Sequence, residues 1–338
     1  MPRAANLETS GVVERASGIR MLVSLKGIDM TTTAPPSADQ TIRSVLLGLL
    51  GIPPSVAVES AAVSPDDAVA QPDTADVYEF TSVDYPGAAQ TLVFDSDGTT
   101  ALGAFVFDPS SASSPATAFT VAGGVYQILN VPNSTFSVAT GINTSGLIVG
   151  TYQDVAGLTH GFATSDGSTF NDVDFPGATN TQPIDVNDAA VIAGEYIDAA
   201  NVEHGFVSSG GTFTAIDFPG ATSTAVAGIN ANGDVVGGYT DTTGTQHGFL
   251  LSGGVFTPIN FPLASSTTAY GINDNGDIAG LYTDTAGKSH GFVYADNNFS
   301  TVDVAGASAT QLTRIKNWAQ VTGVYIDALT AEHGLISE

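Results

Sequence analysis

Residues 211–252 read GTFTAIDFPGATSTAVAGINANGDVVGGYTDTTGTQHGFLLS. Four runs in this stretch are rich in β-branched and aromatic residues: GTFTAIDF, TAVAGIN, DVVGGYTD and HGFLLS. Turn signals part them, Asn-Gly-Asp, Thr-Thr-Gly and the Ser-Gly-Gly that begins at Ser252. Those three links are short enough for hairpins. The fourth, PGATST, is longer and opens with Pro-Gly. Strands of one sheet meander through hairpins, so the longer link is the crossover between sheets. Each sheet then runs from a TAVAGIN-type innermost strand, through DVVGGYTD and HGFLLS types, to a GTFTAIDF-type outermost strand.

The stretch recurs. His-Gly-Phe stands at 160–162, 204–206, 247–249 and 290–292, and His333-Gly334-Leu335 continues the series at spacings of 44, 43, 43 and 43. These are all five histidines of the chain. A Phe-Pro-Gly-Ala type link follows Asp84, Asp174, Asp217 and Asp303, with degenerate forms at Asn130 and Asn260. An Ile-Asn-x-x-Gly type turn falls at Asn143, Asn187, Asn230 and Asn273, with weaker copies at Asp95 and Lys316. A strand-rich period of about 44 residues, six times over, is the signature of four-stranded propeller blades. The expectation is an all-β fold, a six-bladed β-propeller of four-stranded antiparallel blades over 77–338. The unit series opens on an outer-type strand, 77–85, and ends on three inner strands, 310–316, 320–326 and 332–337. The N-terminal strand 77–85 is therefore expected to complete the C-terminal blade and leave no open seam.

Composition bounds the function. The chain has 338 residues, with 8 Lys plus Arg against 34 Asp plus Glu, a net charge of −26, and no Cys. So few basic residues exclude phosphate-backbone binding, and no nucleic-acid partner is expected. Disulfide scaffolds and thiolate metal sites are absent. No run approaches the roughly 20 apolar residues of a transmembrane span. Five of the eight basic residues lie in the first 43, whereas residues 76–338 carry 26 acids and 3 bases. Residues 1–76 are thus a separate segment, signal-like or flexible, disordered or partly helical. Within it, SVLLGLLGIPPSVAV at 44–58 follows Arg43 and precedes small residues, which fits either a signal-peptide core or a short docking helix ending at Gly51. Translation starts at Met21 or Met30 fit the signal reading better. Residues 59–76 are small, acidic and Pro-containing, a linker composition.

The His-Gly-Phe step and the Ile-Asn-x-x-Gly-x-Val-x-Gly turn resemble the HAF family of bacterial extracellular repeats. That family is named for a His-Ala-Phe step, and Gly stands for Ala in all five copies here. The resemblance covers about 77–338. It implies a secreted or cell-envelope, bacterial-type propeller, and it implies no activity.

The sharpest chemical constellation is Tyr-x-Asp-x5-His-Gly. Its Asp-His loop units are Asp154/His160, Asp198/His204, Asp241/His247, Asp284/His290 and Asp327/His333. Asp and His flank one hairpin loop, where a carboxylate fixes the imidazole tautomer and favours its charged form. Five identical copies point to a structural hydrogen-bond rule; the competing reading gives one or two copies a metal or catalytic role. The first unit breaks the pattern with Thr117-Ala118-Phe119 and an insertion at 108–116, a candidate partner-contact loop. The innermost strands break it again. Gly141, Gly228 and Gly271 precede the Ile-Asn pair, but Asp185 takes that place in the third blade and Arg314 in the sixth. Asp185 and Arg314 are the candidate catalytic pair, and Arg314, near Lys316 and Trp318, suits a bidentate anion or else a solvated ion pair. Asp95, Asp97, Asn273, Asn275 and Asp277 place oxygens at alternate positions around a Gly turn, so they are the candidate ligands for calcium, the cofactor expected if there is one. Neither loop has the distal acid of a full calcium loop, and Asn-Gly and Asp-Gly are also ordinary hairpin turns. No nucleophile elbow, phosphate-binding Gly-Lys loop or zinc-protease helix occurs.

The leading expectation is an exported, non-catalytic binding or surface-interaction propeller, monomeric, with a glycan or protein ligand held in repeated grooves. The alternative is a calcium-dependent hydrolase of lactones or phosphoesters at the channel mouth, by analogy with six-bladed propeller enzymes. A third reading is a structural envelope or matrix protein.

Overall fold

A computed structural model describes residues 24–25, 85–88, 90–107, 115–317, 320–326, 328 and 332–336. Apart from the two-residue strand β1 (Ser24–Leu25), its strands fall into blades. Blade 1 is β2 (Gln90–Ser96), β3 (Thr100–Val106), β4 (Thr117–Ala122) and β5 (Val125–Ile128). Blade 2 is β6 (Phe136–Ile142), β7 (Ile148–Gln153), β8 (Thr159–Thr164) and β9 (Asn171–Asp172). Blade 3 is β10 (Asn180–Val186), β11 (Ile192–Ile197), β12 (Glu203–Ser209) and β13 (Thr212–Ile216). Blade 4 is β14 (Ser223–Ile229), β15 (Val235–Thr240), β16 (Gln246–Ser252) and β17 (Val255–Ile259). Blade 5 is β18 (Ser266–Ile272), β19 (Ile278–Thr283), β20 (Ser289–Ala295) and β21 (Asn298–Val302). The sixth blade contributes β22 (Ala309–Ile315), β23 (Val321–Ile326) and β24 (Glu332–Ile336). Within each blade the pairings are antiparallel and follow chain order, as the hairpin reading requires.

The turn residues explain the tight links. The turn from β16 to β17 places Gly253 and Gly254 at φ 56° and 79°, and the equivalent turn of blade 5 does the same with Asp296 and Asn297 at 51° and 61°. Two consecutive left-handed residues make the primed turn whose twist matches the strands, and Gly, Asn and Asp tolerate it best. The longer links carry a repeated device. The hydroxyl of Thr181, Thr224, Thr267 or Thr310 accepts the amide of Phe175, Phe218, Phe261 or Val304 at 3.0–3.1 Å. This holds each blade-to-blade crossover against the next inner strand.

The core lies between blades. Around Phe249 it comprises Ala193 and Ile216 from blade 3 with Val226, Ile229 and Val235 from blade 4. The phenylalanines of four His-Gly-Phe steps, Phe162, Phe206, Phe249 and Phe292, are fully buried, as is Phe119 in the first unit. The Gly of that step is tightly placed as well. A Cβ on Gly161 would stand 2.5 Å from the Val173 carbonyl and 2.6 Å from Pro183 of the next blade. That crowding accounts for Gly in this step, where an Ala would push two blades apart.

Five blades are complete, and closure differs in part from the expectation. The strand beside β24 among the described residues is β1, paired through Ser24 and His333, and it also pairs with β2 through Thr91 and Gln90. Residues 77–84, expected in that place, lie outside the described residues, as does the rest of the segment 1–76 except Ser24 and Leu25. Tyr85 does occupy its repeat position. Its amide donates to Thr91 Oγ1 at 2.9 Å, and its ring stacks on Phe105 at 3.7 Å, as Phe175 stacks on Tyr196. Most of the 108–116 insertion also lies outside the described residues.

Candidate functional site

Three places in this scaffold gather polar chemistry: the loop units at one rim, the channel, and a groove at a blade seam.

At the rim, each loop Asp divides its two oxygens. Oδ1 of Asp154 accepts the amides of Ala156 and Leu158 at 2.8 and 2.9 Å, which shapes the hairpin. Asp198, Asp241 and Asp284 do the same in their blades. Oδ2 then faces the histidine. The Nε2 distances are 3.5 Å for His160–Asp154, 3.4 Å for His204–Asp198, 3.0 Å for His247–Asp241 and 3.4 Å for His290–Asp284. Asp327 and the side chain of His333 lie outside the described residues.

The second nitrogen has a partner that sequence reasoning missed. Nδ1 of His160, His204 and His290 meets Asp174, Asp217 and Asp303 at 2.8, 2.6 and 2.6 Å. His247 meets the amide oxygen of Asn260 at 3.1 Å. The signal was present, since an Asp or Asn precedes each Phe-Pro link 13 or 14 residues after its histidine. Rings complete the unit. Phe175, Tyr196 and His204 stack in sequence, at 3.7 and 4.9 Å between centroids, and Phe218–Tyr239–His247 and Phe261–Tyr282–His290 repeat the arrangement. With both nitrogens engaged, these imidazoles are poor general bases and have no lone pair directed at a ligand.

The pairing sets a pH dependence. Burial alone would lower the pKa of His160, but hydrogen bonds and charge from Asp174 and then Asp154 raise it above the usual 6.5. His204 is raised by Asp217 and Asp198 in the same way. Asp154 and Asp198 are held below 3.8, chiefly by the amides of Leu158 and Val202. Burial raises other acids, Asp185 and Glu203 among them, and Glu195 most clearly: it is buried in β11, and burial together with Glu203 pushes it well above 4.5. The histidine contribution is fully present below 6.5 and is lost as pH rises through the raised folded value. The loop carboxylate contribution is present above 3.8 and is lost as pH falls. Glu195 adds a penalty that grows above 4.5. Thermal midpoints are therefore expected to be highest between about pH 4 and 6.5 and to fall on both sides. A pH series of melts checks this; a midpoint still rising from pH 6 to 8 would contradict it.

In the channel, a ring of asparagines links blades. The side-chain amide of Asn143 donates to the Asn187 carbonyl at 2.9 Å, Asn187 to Asn230 at 3.0 Å, Asn230 to Asn273 at 3.1 Å and Asn273 to Lys316 at 3.1 Å. Lys316 reaches on to the Ser96 carbonyl at 3.5 Å and to Asp95 at 3.9 Å, which carries the series back to blade 1. The candidate calcium ligands are used within this system. Asn273 Oδ1 accepts the amides of Asn275 and Asp277, and Asp277 accepts from Asn273 Nδ2. Asn275 donates to the Asn317 carbonyl. Asp97 accepts the amides of Thr99 and Thr100, and Asp95 those of Ser96 and Ile142. The two sets sit in blades 1 and 5, and the described residues contain no group of three or more His, Asp or Glu placed around a common point. Asp185 and Arg314 both face the channel and sense each other's charge. Asp185 is raised by burial and lowered by Arg314, yet no direct ion pair joins them among the described residues.

At the seam of blades 3 and 4 lies an outward groove of about 520 Å3. Thr214 and Asp217 line it from blade 3; Val235, Leu251, Gly253 and Phe256 line it from blade 4. Asp217 is half-exposed and gives Oδ1 to His204. No helix among the described residues is long and apolar enough to cross a membrane.

No family model and no curated protein matches this chain. Solved structures do. The β-propeller domain of the Trilobed protease from Pyrococcus furiosus superposes with a TM-score of 0.47 at 7% identity, covering 73% of this chain and 95% of that one. TolB from Acinetobacter baumannii gives 0.51 at 10% identity, over 72% of this chain and 64% of TolB. The six-bladed fucose-recognising lectin of Aleuria aurantia gives 0.43 at 11% identity, over 73% and 90%. At these identities the likeness reaches the fold alone: this chain is an all-β propeller of four-stranded antiparallel blades.

Proposed function

We propose that this protein is an exported, non-catalytic binding propeller whose ligand is a glycan. The observation that carries the reading is the groove between blades 3 and 4. It is lined by the half-buried Phe256 together with Thr214 and Asp217. A pyranose presents one apolar face and a rim of hydroxyls, so it needs an aromatic surface and a few fixed acceptors in a shallow cleft. The composition supports this, because charged residues make up only 12% of the chain while Ser, Thr and Asn are abundant. The engaged histidines support a role without catalysis. The signal-like stretch at 44–58 supports export.

The full chain on a glycan array is the test. At least one glycan class is expected to bind, and Phe256→Ala is expected to weaken the hit roughly tenfold. An array without hits, or hits that ignore both Phe256→Ala and Thr214→Ala, would overturn the reading.

A further inference from the structure

Each inner strand carries a bulge just before one ring position of the channel, occupied in turn by Asp95, Gly141, Asp185, Gly228, Gly271 and Arg314. The glycines permit close approach. A Cβ on Gly141, Gly228 or Gly271 would stand 3.0, 3.0 or 2.8 Å from the next blade's backbone. The two aspartates bridge instead. Asp95 accepts the amides of Ser96 and Ile142 at 2.8 and 3.1 Å, and Asp185 those of Val186 and Ile229 at 2.8 and 3.1 Å. In each pair the second amide belongs to the next blade.

Arg314 fits neither pattern. Its Nη1 donates to the Thr313 carbonyl at 3.2 Å and, past blade 5, to the Ala227 carbonyl of blade 4 at 3.4 Å. Both bonds are long, and both come from one nitrogen. The edge formed by Nε and Nη2 has no protein acceptor among the described residues, and no carboxylate pairs with the guanidinium there. That edge is the one that matches a carboxylate or phosphate bidentately. Lys316, two residues on, reaches blade 1 instead, at 3.5 Å to the Ser96 carbonyl and 3.9 Å to Asp95. The two cations are two of only three basic residues after position 75. Asp185 lies within range of the Arg314 charge but makes no direct ion pair with it among the described residues. A small anion on the open edge would supply the close contact that Asp185 does not.

We propose that the channel holds a small oxyanion, a carboxylate or a phosphate, on the Nε–Nη2 edge of Arg314. The site is independent of the seam groove, so a glycan result at Phe256 neither supports nor weakens it.

Titration calorimetry of the full chain with inorganic phosphate and, separately, with succinate tests the site at constant ionic strength. One anion per chain is expected to bind saturably, and the better of the two identifies the chemistry. Arg314→Lys, which keeps the charge and loses the fork, is expected to bind at least tenfold more weakly, while Lys288→Ala on an exposed hairpin is expected to leave binding unchanged. A second readout needs no variant: phenylglyoxal labelling of Arg314, followed by mass spectrometry, is expected to slow at least fivefold in the presence of the preferred anion. No saturable binding of either anion, equal binding by Arg314→Lys, or unprotected labelling would overturn the proposal.

Discussion

Phe249→Ala is expected to lower the unfolding free energy by about 3–5 kcal/mol. The ring is fully buried, and its neighbours belong to two blades: Ala193 and Ile216 on one side, Val226, Ile229 and Val235 on the other. It also makes tilted and edge contacts with Phe218 and Phe256 at 6.3 and 5.6 Å. Removing it opens a cavity at a seam held by two β-sheets, and ladder hydrogen bonds keep those sheets from collapsing inward. The transfer loss and the cavity cost then add. For a chain of this size the thermal midpoint should fall by roughly 10 °C. Urea unfolding measures the loss; a change below about 1 kcal/mol would mean that the blades slide together to refill the seam.

The second large effect comes from adding one methyl group. Gly280 lies in β19, where a Cβ would collide with the Thr268 carbonyl of β18 and stand 2.7 Å from Cε1 of Phe292. The same glycine recurs as Gly103, Gly150, Gly194, Gly237 and Gly323, each against an inner-strand carbonyl. Its absent side chain lets the buried phenylalanine rest on the backbone of the neighbouring strand. Gly280→Ala is expected to cost about 3 kcal/mol or more, because a carbonyl in a sheet cannot rotate away as a side chain would. Gly276→Ala is the control. That glycine has φ +87° and open space around it, so only backbone strain of roughly 1 kcal/mol applies. Equal losses from the two would refute the packing account; a far larger loss at Gly280, or no soluble protein, agrees with it.

Both effects depend on the repeat and would hold in other blades. The anion proposal rests on a departure from the repeat, because five other blades place Gly or Asp where Arg314 stands, whereas Phe256 and Asp217 of the groove occupy repeat positions.

Strand order, blade boundaries and the identity of the crossover were legible in the sequence. These follow from local chemistry: turn residues demand particular φ angles, and a period near 44 leaves room for four strands and their turns. His-Gly-Phe, Phe-Pro-Gly-Ala and Ile-Asn-x-x-Gly could each be placed in the unit without knowing what they touch. Only the tertiary structure decided what they touch. Asp174 and His160 are 14 residues apart and share no hairpin loop; β9 and the crossover bring them together. Asn143 reads as a turn former, and its second function, a bond to the Asn187 carbonyl, exists only because the next blade stands 44 residues on and one step round the ring. Asp95, Asp97 and Asn273 accept backbone amides, and amides carry no sequence signature, so these bonds were not legible in the sequence. Closure of the sixth blade is likewise a long-range matter, since the pairing of Ser24 with His333 joins strands that no local pattern relates. Periodicity records how a chain folds on itself within one blade, whereas contacts between blades depend on how six such units fit around one axis.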